Sequence, residues 1–140
     1  SYQRAGDADR AVNEYESLLK RNPANEVVAN NLAYLLSQKG DKANLDRALA
    51  IANRFEGSQQ PAFLDTLGWI HYRRGEYDQA VTLLRRASAL APQSAPHMYH
   101  LGAALVKAGK ADEGKALLKR AVESGVTFDG LEDAKKLASQ

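Results

Sequence analysis

Two histidines, His97 and His100, are the one histidine pair at helical spacing, and imidazoles at i and i+3 can bind one metal ion. The sequence has no cysteine, which excludes thiolate ligands, disulfides and thiol nucleophiles. No third ligand stands at a suitable spacing, so we expect no metal and no other cofactor, with both rings exposed or bonded locally. His71 falls on an apolar stripe, and we expect its ring to be buried and hydrogen-bonded.

Other chemistry is not indicated. The chain has no glycine-rich phosphate loop, no His-Glu-x-x-His and no Gly-x-Ser-x-Gly, so we expect no enzyme. Basic doublets occur at 20–21, 73–74, 85–86, 119–120 and 135–136. Acidic residues lie near them, and 19 Lys and Arg against 17 Asp and Glu leave a net charge of only +2. The doublets therefore favour a solvated surface, with no nucleic acid as partner.

Length and composition favour one packed domain. The chain has 140 residues, of which 44% are hydrophobic and 26% charged, which suffices for a core. The most apolar stretch, Leu101–Val106, is far shorter than the roughly 18–20 residues of a membrane-spanning helix. We therefore expect no insertion into a membrane.

A repeat of 34 or 35 residues runs through the chain. Leu67 and Gly75 recur 34 residues later as Leu101 and Gly109, and a similar phrase lies 35 residues before Leu67. A period of this length predicts a repeat architecture. It divides the single domain, 1–140, into a truncated repeat, three full repeats and a tail: 1–25, 26–60, 61–94, 95–128 and 129–140.

Each repeat has the apolar period of two helices. In 61–94 one stripe contains Leu64, Leu67 and His71 and a second contains Ala80 and Leu84, both near the i, i+3, i+4, i+7 spacing of amphipathic helices. A glycine between the stripes suits the left-handed end of a helix. No segment alternates long enough to predict a sheet, so the fold class is all-α, built from helical hairpins.

A 34-residue hairpin with Leu64-x-x-Leu67-Gly-x-x-His71, then Ala80-x-x-x-Leu84, then a proline resembles the tetratricopeptide repeat. The resemblance implies a right-handed α-solenoid of helix–turn–helix repeats.

The two ends of the chain differ from a full repeat. We expect the first helix of the truncated repeat to be reduced to 1–5 and to end at Gly6, as in a fragment of a longer array. The tail 129–140 predicts a capping helix, which begins with a capping box formed by Asp129 and Glu132.

The resemblance also implies a binding surface, because first helices of such repeats line a concave groove that binds peptides or helices. The partner-binding positions would be Asn30, Tyr34, Gln38, Asp65, Trp69, Tyr72, Arg73, Tyr99, Ala103 and Lys107. Aromatic and Arg side chains dominate binding energy in many interfaces, so an exposed Trp69 would be the central anchor. Alternatively, these rings pack between neighbouring first helices and fill the groove.

We therefore predict a non-enzymatic protein–protein interaction scaffold. One alternative is a structural spacer or self-association segment of a larger protein, whose groove a neighbouring copy fills. The truncated repeat is a further candidate surface for self-association. Another is an aromatic-groove carbohydrate-binding module. The Lys and Asn pairs by which related domains hold chaperone C-termini are missing. The phrases at 31–36 and 64–69 resemble those of bacterial tetratricopeptide proteins, including envelope-associated ones, so a bacterial cytoplasm or, slightly favoured, a periplasm is the expected location.

Overall fold

The computed structural model describes residues 2–140, with side chains from residue 5 onward. Over this range it contains α-helices and one 3₁₀ turn at Asn53–Phe55, and no strand. The helices are α1 Tyr2–Arg21, α2 Glu26–Lys39, α3 Lys42–Ala52, α4 Pro61–Arg73, α5 Tyr77–Leu90, α6 Ala95–Lys107, α7 Ala111–Glu123 and α8 Leu131–Ser139. The predicted all-α class is confirmed.

The helices belong to two compact units. The first unit ends at Arg54 and holds α1, α2 and α3, of which α2 packs against both others. The second unit, Phe55–Gln140, holds α4 to α8. Within it α4 packs on α5 and α6 on α7, while α5 also packs on α6 and α7 on α8. The order is that of stacked helical hairpins, with first helices α4 and α6 in contact with each other.

Glycines and capping side chains explain where the helices of a hairpin end. Gly40, Gly75 and Gly109 follow α2, α4 and α6 with φ of 78°, 81° and 89°, a conformation that favours glycine. The side chains of Asn25 and Ser94 accept hydrogen bonds from the backbone at the start of α2 and α6. These local signals therefore explain why α2 and α6 begin, and why α2, α4 and α6 end, at these residues.

The crossing of α6 and α7 is closer than a side chain would allow. A Cβ atom on Gly114 would lie 2.6 Å from the carbonyl oxygen of Gly102, and one on Gly102 would lie 2.9 Å from the carbonyl oxygen of Gly114. In α4, a Cβ atom on Gly68 would meet side-chain atoms of Leu84 instead. The two backbones of the α6–α7 hairpin thus touch directly, which explains why a glycine occupies position 114 inside a helix.

Two predictions about the ends of the chain are wrong. Helix α1 runs through Gly6 without a break, because Gly6 does not adopt the positive φ that ends a helix, so no separate first helix ends there. The capping box of Asp129 and Glu132 is not formed: Gly130, with φ of 94°, is the N-cap of α8 and no side chain caps the helix.

The tail helix α8 itself is amphipathic, as the pattern predicts. Its Ala134 is fully buried, and Leu131 is half-buried, while Glu132 and Lys136 are exposed. A Cβ atom on Gly130 would clash with the Tyr99 ring, so a glycine is required where α8 meets α6. Over residues 2–140, no helix combines the length and the apolar character that crossing a membrane would need.

Candidate functional site

Four rings of α4 and α6 form what we call the aromatic cluster: Trp69, Tyr72, Tyr99 and His100. Trp69 stacks on Tyr72 with ring centroids 4.4 Å apart and on His100 with centroids 4.0 Å apart, and its centroid lies 5.4 Å from that of Tyr99. Only 8% of Trp69 is exposed. The expectation of an exposed Trp69 is wrong. The rings pack between neighbouring first helices because a 34-residue period brings side chains of α4 and α6 together.

A buried contact between a histidine and a carboxylate connects the aromatic cluster to Asp65. The Nδ1 atom of His100 lies 2.9 Å and 2.8 Å from the two carboxylate oxygens of Asp65, and both side chains are buried. The Nε2 atom of His97 lies 4.0 Å from the same carboxylate. The expectation that both rings are exposed or bonded locally is therefore wrong for His100, which is buried and bonded to a carboxylate of the neighbouring helix. Residues 5–140 contain no group of three or more His, Cys, Asp or Glu side chains that could hold a metal ion.

Tyr99 connects the aromatic cluster to α8. Its hydroxyl group donates a hydrogen bond of 2.6 Å to Oδ2 of Asp133, and its ring lies 5.6 Å from that of Phe128. Sequence reasoning missed Asp133. The signal for it is the register, because positions 65, 99 and 133 are 34 residues apart and α8 takes the place of a further first helix.

Burial raises the pKa of both tyrosines of the aromatic cluster. Burial, and then the negative charge of Asp133, raise the pKa of Tyr72 to about 12. For Tyr99, burial together with the hydrogen bond to Asp133 raises the pKa well above the ordinary value. Both phenols are therefore neutral at physiological pH, and the cluster acts as a packed wall with the Asp133 carboxylate at its edge.

In the second unit, the accessible part of the predicted surface is what we call the exposed rim: Tyr72, Arg73 and Lys107. Arg73 and Lys107 are exposed in the last turns of α4 and α6, and they occupy equivalent repeat positions 34 residues apart. Tyr72 is half-buried, with one side of its ring on Trp69. Asp65, Tyr99 and Ala103 are buried and do not belong to the rim.

His71 is hydrogen-bonded on the opposite side of α4, as predicted, but it is half-buried and not buried. Its Nδ1 atom lies 3.0 Å from Oε1 of Glu76, which also accepts a 2.8 Å hydrogen bond from Nε of Arg74. The hydrogen bond from Arg74, and a weaker one involving His71, lower the pKa of Glu76 although partial burial opposes them. This contact fixes the turn between α4 and α5, so His71 has a structural role.

The remaining predicted positions, Asn30, Tyr34 and Gln38, lie on α2 in the first unit. Gln38 is exposed, Tyr34 is half-buried, and the half-buried Asn30 has a buried Oδ1 atom with no hydrogen-bond partner in the part of the chain that the structure describes. The structure thus brings the predicted residues together in two sets, one in each unit.

Comparison with protein families agrees with the hairpin geometry. Three family models described as tetratricopeptide repeat match residues 1–25, 25–93 and 71–129. The TPR repeat-containing protein PA4667 of Pseudomonas aeruginosa is 28% identical over 85 residues, which are 61% of this chain and 14% of that protein. The chain therefore spans only a small part of that relative.

Solved structures share the fold. A thermophilic TPR protein of Thermus thermophilus superposes with a TM-score of 0.79 at 19% identity, over 99% of this chain and 74% of that one. A crystal structure of MamA gives 0.70 at 22% identity, over 98% and 88% of the two chains. MamA from Desulfovibrio magneticus gives 0.70 at 17% identity, over 95% and 71%. With the family models, this shows that the chain belongs to the tetratricopeptide repeat family.

Proposed function

We propose that this chain is a non-enzymatic protein–protein interaction scaffold that binds a peptide or helix on its first-helix surface. The observation that supports the site is the position of the exposed rim, Tyr72, Arg73 and Lys107, beside the buried aromatic cluster. A flat aromatic side and two cationic groups on one helical surface provide the residue types that dominate binding energy.

The aromatic cluster contributes rigidity rather than direct contact. Trp69 stacks on two rings and Tyr99 is hydrogen-bonded to Asp133, so the side chains behind the rim have little freedom to lose on binding. Preorganised surfaces bind more tightly because less conformational entropy is lost. Buried members of the predicted site, Trp69 and Tyr99, would thus act by holding Tyr72 in place.

In the first unit, Asn30 is the candidate contact. A buried amide oxygen without a partner is costly, and rotation of the half-buried Asn30 side chain would let this atom accept a hydrogen bond from a backbone N–H group of a bound peptide. Tyr34 and Gln38 follow on the same helix at i+4 and i+8, which places them along one side of α2. We propose these three as a second contact set.

A peptide library displayed on phage and selected on the purified chain tests the proposal. Binders are measured by calorimetry against wild type, the double variant Arg73→Ala/Lys107→Ala, and a matched control, Arg86→Ala/Lys119→Ala, whose residues are exposed on second helices. We expect the rim variant to weaken binding at least about tenfold, or 1.4 kcal/mol, and the control to bind like wild type. Equal loss in both variants, or no loss in either, would contradict the site.

The burial of Trp69 supports a second candidate, a structural spacer or self-association segment. A first-helix wall filled by its own rings needs no partner to cover it. Sedimentation velocity over a range of concentrations separates the candidates, because a spacer that self-associates forms dimers without any peptide. For a carbohydrate-binding module, by contrast, the structure offers no support: Trp69 is buried and stacked, whereas sugar binding needs an open ring face.

A further inference from the structure

A second open surface lies in the first unit, on the side of the second helices. Both α1 and α3 pack on α2, but the described backbones of α1 and α3 do not pack on each other. Between them is a cavity of about 820 Å³, which we call the α1–α3 groove. This volume falls in the range of ligand sites, and the buried side chains of Leu19 and Ile51 contribute an apolar floor.

Side chains fix the two walls of the α1–α3 groove. Arg47 of α3 forms an ion pair of 2.7 Å with Glu16 of α1. Arg54 donates from Nε to the carbonyl oxygen of Ile51 at 2.9 Å and from Nη1 to the carbonyl oxygen of Pro23. The guanidinium group of Arg54 thus connects the carboxyl ends of both helices and keeps N–H groups available for a ligand.

The groove carries an excess of positive charge. Its lining includes three basic residues, Lys20, Arg47 and Arg54, and one acidic residue, Glu16, whose charge Arg47 already balances. Lys20 is exposed, and its ammonium group has no partner among the described residues. Lys20 and Arg54 therefore leave two uncompensated cations beside an apolar floor.

We propose that the α1–α3 groove binds an acidic segment of a protein partner, with carboxylates at Lys20 and Arg54 and apolar side chains on Leu19 and Ile51. Charge complementarity selects the acidic segment, since hydrogen bonds between carboxylates and Arg or Lys are stronger than neutral ones. The site lies on second helices, so it goes beyond the first-helix surface proposed above.

A nucleic acid fits this groove less well. Phosphate backbones are bound by rows of cations, and bases by stacking on aromatic rings. The lining has a carboxylate, Glu16, in its wall and contains no aromatic side chain among the residues described. An apolar floor between two cations matches a peptide with alternating acidic and apolar residues.

Amide NMR of the complete chain tests the proposal with a synthetic peptide of Glu and Leu residues and a counterpart with Gln for Glu. We expect the acidic peptide to shift the resonances of Leu19, Lys20, Ile51 and Arg54. It should bind at least about tenfold more tightly than the Gln peptide, and its binding should weaken as salt is added. Lys20→Glu should weaken binding about tenfold, and Lys20→Gln less. Arg86→Glu, an equal charge change on α5, should leave binding unchanged.

Several results would overturn the proposal. These are equal binding of the two peptides, shifts confined to the exposed rim, or a single-stranded oligonucleotide that binds at the groove more tightly than the acidic peptide. Sedimentation adds one more: if wild type dimerises and Lys20→Glu abolishes the dimer, a second copy occupies the groove. Circular dichroism checks that each variant is folded before binding is compared. We expect the variants to fold because Lys20 and Arg86 are exposed.

Discussion

The second unit and the first unit differ in what packs between their helices, although exposed ion pairs connect second helices in both. In the second unit, neighbouring first helices α4 and α6 share a buried aromatic cluster and the buried Asp65–His100 contact. Exposed ion pairs connect helices in both units: Asp9 with Lys39 and Glu16 with Arg47 in the first, and Arg85 with Glu113 in the second. The second unit therefore has little free space between its first helices, while the first unit keeps an open groove between α1 and α3.

This difference shows how one repeat pattern supports both rigidity and access. Stacked rings exclude water, and truncating one of them lowers the stability of the fold sharply. Exposed ion pairs contribute little to stability, and salt screens them. We therefore expect the second unit to carry most of the stability and the first unit to offer the more adaptable surface. Four substitutions, taken from the largest expected effect to the smallest, test this contrast.

Trp69→Ala should destabilise the second unit by about 3–5 kcal/mol, because it removes a buried ring that stacks on Tyr72 and His100. Tyr34→Ala is the matched control, since Tyr34 occupies the equivalent position on α2 but is only half-buried. Its cost should be of order 1 kcal/mol. Denaturant unfolding followed by circular dichroism gives both values, and equal costs would remove the contrast between the units.

Asp65→Ala should cost about 1.5–3 kcal/mol, since it leaves the buried ring of His100 without its carboxylate partner. The double variant with His100→Ala isolates the contact through a double-mutant cycle. We expect a coupling energy above about 0.5 kcal/mol in chemical denaturation. Strictly additive effects would mean that the two side chains do not interact in solution.

Gly114→Ala should cost about 1–3 kcal/mol, because the added Cβ atom would press on the backbone of Gly102 at the α6–α7 crossing. Gly68→Ala should cost less, as its Cβ atom meets the side chain of Leu84, which can move. Thermal unfolding of the two variants compares them directly. A stabilised Gly114→Ala, as expected from helix propensity alone, would show that the two backbones do not touch at the crossing.

Arg47→Gln should change stability by less than about 1 kcal/mol, since its ion pair with Glu16 is exposed to solvent. The difference from wild type should shrink as salt is added, because screening weakens the pair in the parent protein. Unfolding at low and high salt measures this. A loss of stability as large as that of Asp65→Ala, and independent of salt, would mean that the Arg47–Glu16 pair stabilises the first unit as strongly as a buried contact stabilises the second.

The repeat pattern predicts most of the fold because it depends on local signals. Apolar stripes and the glycines at 40, 75 and 109 mark the hairpins, and these are the features that the helices follow. The errors at Gly6 and Asp129 both concern where a helix ends or begins. Gly6 continues α1 because the chain does not turn there, and α8 begins one residue later than the capping box requires because Gly130 is its N-cap. Neither residue type nor spacing shows this.

The site is less predictable, since burial depends on what lies across the helix interface. The step of about 100° per residue in a helix correctly predicts that Trp69 points away from α5. It does not show that His100 and Tyr99 of the next repeat cover the ring. The same holds for Asp65, whose partner lies 35 residues away. Comparing first-helix positions at the repeat period would have indicated both contacts, and Asp133 with them.

The central claim is that the first-helix wall of the second unit is closed by its own rings, so that partners reach only its rim. Trp69 is the chain's sole tryptophan, so acrylamide quenching of its fluorescence tests this claim directly. The structure predicts a blue-shifted emission and weak quenching in the monomer, with quenching restored by denaturant. A red-shifted emission that acrylamide quenches as readily in the folded as in the unfolded chain would contradict the account.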